Sequence, residues 1–149
     1  MYEFILAVHN ILRWVILILA IIALVRAYWG WFGKRDWTPT DRKVGSFYSI
    51  SLDVELLLGL VLYFALSPII SNNLGNFMTL LSDKLFRFFA FEHMLLMFIA
   101  VILAHVGAAS SRRAIENTLK HRRAAIWFTL SIIAVLLGMP WFRPLLPGF

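Results

Sequence analysis

The chain has 149 residues, 61% of them hydrophobic, a formal charge of +6 and a mean hydropathy of +0.81. A soluble domain is nearer half apolar, so the composition excludes an ordinary soluble domain and implies a single integral membrane domain spanning 1–149. The absence of cysteine excludes disulfides, thiolate metal sites and covalently attached c-type haem.

The predicted fold is all-α. Four transmembrane helices, at about 4–25, 47–67, 85–107 and 124–139, are expected to form an up-down-up-down bundle. The first follows Met1-Tyr2-Glu3, with no basic segment before it and no A-x-A-like site after it, so it is expected to stay rather than be cleaved as a signal. It carries His9, Asn10 and Arg13. His9 and Arg13 are four residues apart and share a face.

The first loop holds Arg26, Lys34, Arg35, Arg42 and Lys43. Within it, Thr38-Pro39-Thr40-Asp41 reads as a helix start, with an N-cap, a first-turn proline and the acidic member of a capping box. Helix 2 is therefore expected to begin in water, enter the membrane near Phe47 and end near Ser67 and Pro68. It carries Asp53, Glu55 and Gly59. The second loop is weakly charged, with a turn cluster of asparagine and glycine at 72–76. Helix 3 opens on Arg87-Phe88-Phe89-Ala90-Phe91-Glu92-His93. Ionisable groups at such depth mark function by default.

The third loop holds Arg112, Arg113, Lys120, His121, Arg122 and Arg123, with His121 expected in solvent. Helix 4 is short and is stopped by Pro140. The two basic loops hold ten Lys and Arg residues, against Lys84, Arg87 and Arg143 on the other side. The positive-inside rule then puts both termini outside and the basic loops in the cytoplasm. Topology and lipid headgroups account for the charge, so no nucleic-acid partner is expected.

In such a bundle helices 1 and 3 are diagonal. His9 lies about 8 Å along helix 1 and His93 about 12 Å along helix 3, at roughly 1.5 Å per residue. The two are at similar depth, and helices packed roughly 8–10 Å apart give a square bundle a diagonal of about 14 Å, about the span of two imidazoles with an iron between them. Gly59 on helix 2 falls near that depth, where a glycine lets a ligand approach the backbone. Small residues are also common at plain helix contacts in membranes, and a membrane histidine is often just bonded across helices. Zinc fits less well, because only Glu92 stands near enough to add a third ligand. His105 lies about 120° round helix 3 from His93. It is expected to bond near the cytoplasmic surface, with Asp53 as its candidate partner. Arg13 and Glu55 lie one turn deeper than His9 and Gly59 on the same faces, which makes them a candidate buried charge pair.

The stretch His9-Asn10-Ile11-Leu12-Arg13-Trp14, the pair Glu92-His93 and the tail Pro140-Trp141-Phe142-Arg143-Pro144 resemble small four-helix bacterial membrane proteins of cytochrome b-like type. These are b561-like in architecture but have fewer helix histidines. The resemblance implies one haem b, with His9 and His93 as axial ligands, and electron transfer in the bacterial cytoplasmic membrane. It implies partners as well: the lipid bilayer, other membrane subunits of a redox complex, and a quinone. Two readings from other classes stay open. One is a cofactor-free accessory subunit of a respiratory or photosynthetic complex. The other is a proton or ion conductor using Arg13, Asp53, Glu55, His93 and His105.

Overall fold

The computed structural model describes residues 1–66, 78 and 82–142. It contains four helices long and apolar enough to cross a membrane: α1 (Tyr2–Phe32), α2 (Pro39–Leu66), α3 (Lys84–Arg113) and α4 (Asn117–Gly138). Among the described residues there is no strand.

Three of the four helices run well past their expected ends. α1 continues from 25 to Phe32, α3 continues from 107 to Arg113, and α4 starts at Asn117 rather than 124. The basic residues in question are good helix formers, and their long stems let charged heads reach water from a helix. The third loop shrinks to Ala114, Ile115 and Glu116. At 31 residues, α1 is about 46 Å long at 1.5 Å per residue. That exceeds a hydrocarbon core of about 30 Å, so a helix end stands in the headgroup layer. The start of α2 follows the expected capping box. Asp41 N donates to Thr38 Oγ1, and Thr38 N donates to Asp41 Oδ2 at 2.8 Å. The end expected for helix 2 at Ser67 and Pro68, the turn cluster at 72–76 and the tail residues Arg143 and Pro144 lie outside the described residues.

The principal contacts join α1 with α2, α2 with α3, α3 with α4, and α4 with α1, so α1 and α3 stand across the bundle from each other. His9 meets Glu55 while Arg26 meets Asp41. Numbers rise on α1 as they fall on α2, and the two helices pass in opposite senses. The same holds for α2 and α3, through Asp53 with His105 and Tyr63 with Ala90.

Small residues make these contacts close. On α1 the buried positions after Arg13 are Ile16, Ala20, Ala23, Ala27 and Gly30, a repeat of four and three that turns one stripe inward. Extending it backwards through Arg13 reaches His9. On α3 the buried stripe is Ala100, Ala104, Gly107, Ala108 and Ser111. Lipid tails are as apolar as leucine, so close van der Waals packing of small residues holds such helices together. Ile18, Ile21, Val25 and other large side chains face outward. One polar chain crosses the centre. Ser131 Oγ donates to the Ala100 carbonyl at 2.7 Å. A serine hydroxyl has one proton, so the fully buried Tyr48 hydroxyl donates to Ser131 at 2.9 Å.

Candidate functional site

The His9 and His93 rings meet in the bundle interior, with centroids 6.4 Å apart and planes at 80°. α1 brings His9 in through its inward stripe. His93 follows directly on a π-helical turn, Phe88–Glu92, and α2 has a similar turn at Leu62–Leu66. Such turns shift the register of a helix and recur at functional sites.

Each ring has an oxygen of the chain at its Nδ1. His93 Nδ1 donates to the Gly138 carbonyl at 2.6 Å. That oxygen is available because α4 ends there, and the last four carbonyls of a helix lack helical partners. A carbonyl only accepts, so the proton sits on Nδ1 and the neutral ring carries its lone pair on Nε2. His9 Nδ1 lies 3.3 Å from Glu55 Oε1, within ion-pair range but off hydrogen-bond alignment. Among the described residues, neither Nε2 makes a hydrogen bond. Gly59 faces His9, and a Cβ there would sit 3.5 Å from the ring.

Arg13 and Glu55, the charges expected to pair, are each 7% exposed, and Glu55 Oε1 stands 3.3 Å from His9 Nδ1. With the half-buried His9 and His93 they make four ionisable side chains from three helices.

Two residues fall elsewhere. Glu92 is half exposed and pairs with Arg87 at 3.0 Å, so it adds no third ligand beside His93. It faces outward with Arg87, away from the Asp53 and His105 site. Those two do meet, with His105 Nε2 at 2.8 Å from Asp53 Oδ1. They lie on the outward side of the α2–α3 seam, 39% and 51% exposed. His121 is not in solvent: it lies on α4, is 2% exposed, and its ring fills the space that a side chain at Gly30 would need.

The space around the pair is a groove between α1, α2 and α3, of about 460 Å³ including its mouth. Its walls include Leu52, Leu56, Gly59, Leu60, Met94 and Met97, and its enclosed interior is about 40 Å³. Two imidazoles on one metal ion hold their ring centres up to about 6.4 Å apart, with metal–nitrogen bonds of about 2.0 Å and about 1.2 Å from nitrogen to ring centre. The spacing of the two ring centres matches that span.

The Gly138 carbonyl is the member that side-chain reasoning missed. Its one signal is Pro140, which lacks the N–H that would bond the Leu136 carbonyl. The Trp141 indole takes that oxygen instead, at 2.8 Å.

Together these features define, among the described residues, a helical membrane protein of four candidate spans with a half-buried imidazole pair. No protein family, curated protein or solved structure matches the chain.

Proposed function

We propose that the chain is a membrane-embedded b-type cytochrome that holds one haem between His9 and His93. It would pass electrons within, or to, a larger redox complex of the bacterial cytoplasmic membrane, with a quinone as a candidate donor or acceptor. The observation that carries this reading is the pairing of the two rings, 6.4 Å between centres, with His93 Nδ1 donating to the Gly138 carbonyl. Metal-binding histidines almost always engage their second nitrogen, as His93 does, which fixes the tautomer and the ring direction.

An iron held by two imidazoles supplies one-electron transfer when bound. The protein would do the rest. Gly138 holds His93 in the tautomer that offers Nε2. Glu55 lies beside His9 and balances the charge of Arg13. Leu52, Leu56 and Leu60 keep water from the pair. The basic ends of the helices would face the cytoplasm, with both termini outside.

A second reading, a cofactor-free accessory subunit, draws support from the small enclosed volume beside the rings, about 40 Å³. One experiment separates the two. The protein, purified from cells supplied with haem, is expected to give a low-spin b-type reduced-minus-oxidised spectrum. His9→Ala and His93→Ala should each lose it. His105→Ala should keep it, because His105 lies outside the groove. A colourless protein would overturn the cytochrome reading and leave the accessory one.

A further inference from the structure

A second recess lies at the opposite end of the bundle from the histidine pair. Its volume is about 510 Å³, and Arg26, Trp29, Lys34, Arg35, Asp36 and Asp41 are among its walls. Both carboxylates are already engaged. Asp41 accepts from Arg26 at 2.8 Å and from Thr38. Asp36 accepts from Asn117 at 2.9 Å. Among the described residues, neither Lys34 nor Arg35 has a carboxylate partner.

The local backbone presents these two cations to the recess. The end of α1 is closed by Gly33 N bonding to Trp29 O, Lys34 N to Trp31 O and Arg35 N to Gly30 O. Those bonds cover carbonyls that would otherwise repel an anion. Lys34 takes the left-handed conformation, φ 48, which favours glycine over a long side chain. The Arg35 guanidinium stands over the Trp29 ring, with Cζ 3.6 Å from its centre. A guanidinium held by one face on a ring keeps its N–H edge for hydrogen bonds. That edge matches the oxygens of a phosphate in a bidentate grip.

The level in the membrane agrees. Trp29 and Trp31 lie in the last turn of α1, and tryptophans are enriched at membrane interfaces. Basic pockets between transmembrane helices at this level take anionic headgroups.

We propose that this recess is a phosphate site, with Lys34 and Arg35 as its charged contacts and Trp29 as the platform that fixes Arg35. The phosphate comes from the headgroup of an anionic lipid or from a soluble anion, and the test has an arm for each. It does not depend on what the histidine pair binds.

The full chain in nonionic detergent is titrated with dioleoylphosphatidylglycerol, with dioleoylphosphatidylcholine and with inorganic phosphate, and bound ligand is counted by native mass spectrometry. The variant carries Lys34→Gly and Arg35→Gln. Glycine suits the left-handed position, so the loop keeps its backbone. A control carries Arg42→Gln and Lys43→Gln, which removes two cations from the same end but outside the recess. The phosphatidylglycerol affinity is expected to exceed that for phosphatidylcholine and to fall about tenfold in the first variant, while the control keeps it. Competition by millimolar inorganic phosphate would support the site and assign it to a soluble anion. Unchanged phosphatidylglycerol binding in the first variant, or an equal loss in the control, would overturn the proposal.

Discussion

His93 donates its Nδ1 proton to the carbonyl of Gly138 at 2.6 Å, so a side chain from the middle of the sequence caps the last helix. The contact is tight on its other side too. A Cβ at Gly138 would stand 2.5 Å from Met97 Cε and 3.0 Å from Leu96 Cβ. Gly138→Ala therefore sets two effects against each other. Alanine gains about 1 kcal/mol of helix propensity over glycine, and overpacking costs about 1–3 kcal/mol. Met97 has a flexible tip, but the Leu96 Cβ is fixed to the backbone, so the net change is expected to be a loss. Thermal unfolding in detergent measures it. A rise in Tm would mean that α3 and α4 separate freely at this end, and that Gly138 does not hold His93 in place.

His9 and Gly59 were legible as facing residues because both come from helical spacing alone. The link from Asp53 to His105 was legible for the same reason. The inward stripe of alanines on α1 was harder to read, since the helix is apolar all round and its large residues face lipid rather than the core. Glu92 adds nothing beside His93 because the two are neighbours in sequence, and neighbours on a helix stand about 100° apart. His121 was misplaced because neighbouring charges suggest a loop, whereas here they ride on the first turns of a helix.

Gly30 and His121 occupy one space. A Cβ at Gly30 would stand 2.2 Å from the His121 ring, and an imidazole ring cannot bend away. Gly30→Ala is expected to cost about 1–3 kcal/mol. His121→Ala should also destabilise, by leaving a void beside Trp37, whose ring centre lies 4.9 Å from that of His121. The double replacement removes the clash, so its loss should fall short of the sum by about 1 kcal/mol or more. Additive losses in a thermal unfolding cycle would show that the two residues act separately.

The orientation of the bundle can be read with single cysteines, since the chain has none of its own. Ile115 is 93% exposed in the short connection after α3. It belongs to the end that Asp36 and Asn117 tie together at 2.9 Å. Glu3 is exposed near the start of α1, at the other end. With the basic end in the cytoplasm, an impermeant maleimide on intact cells should label Glu3→Cys and spare Ile115→Cys. The reverse pattern would put the histidine pair in the cytoplasmic half of the membrane.

Arg13 and Glu55 offer the sharpest test of the buried cluster. Each is 7% exposed, and each comes from the interior face of its helix. An isolated charge at the centre of a bilayer costs roughly 3 kcal/mol on insertion scales. Removing one partner of a buried pair strands the other, at a cost of about 3–5 kcal/mol. Arg13→Leu and Glu55→Leu should therefore each lower the stability of the detergent-solubilised protein by about that amount. The double replacement leaves neither charge behind and should recover much of the loss. Glu55 also lies 3.3 Å from His9, so Glu55→Leu should weaken the hold on that ring while Arg13→Leu leaves the His9–Glu55 contact in place. The two single variants would then differ in any spectrum that reports His9, even where their Tm values agree. Strictly additive losses would mean that the two charges are held by other groups. The inward stripe of α1 would then bring His9 and Arg13 to one face without coupling Arg13 to Glu55.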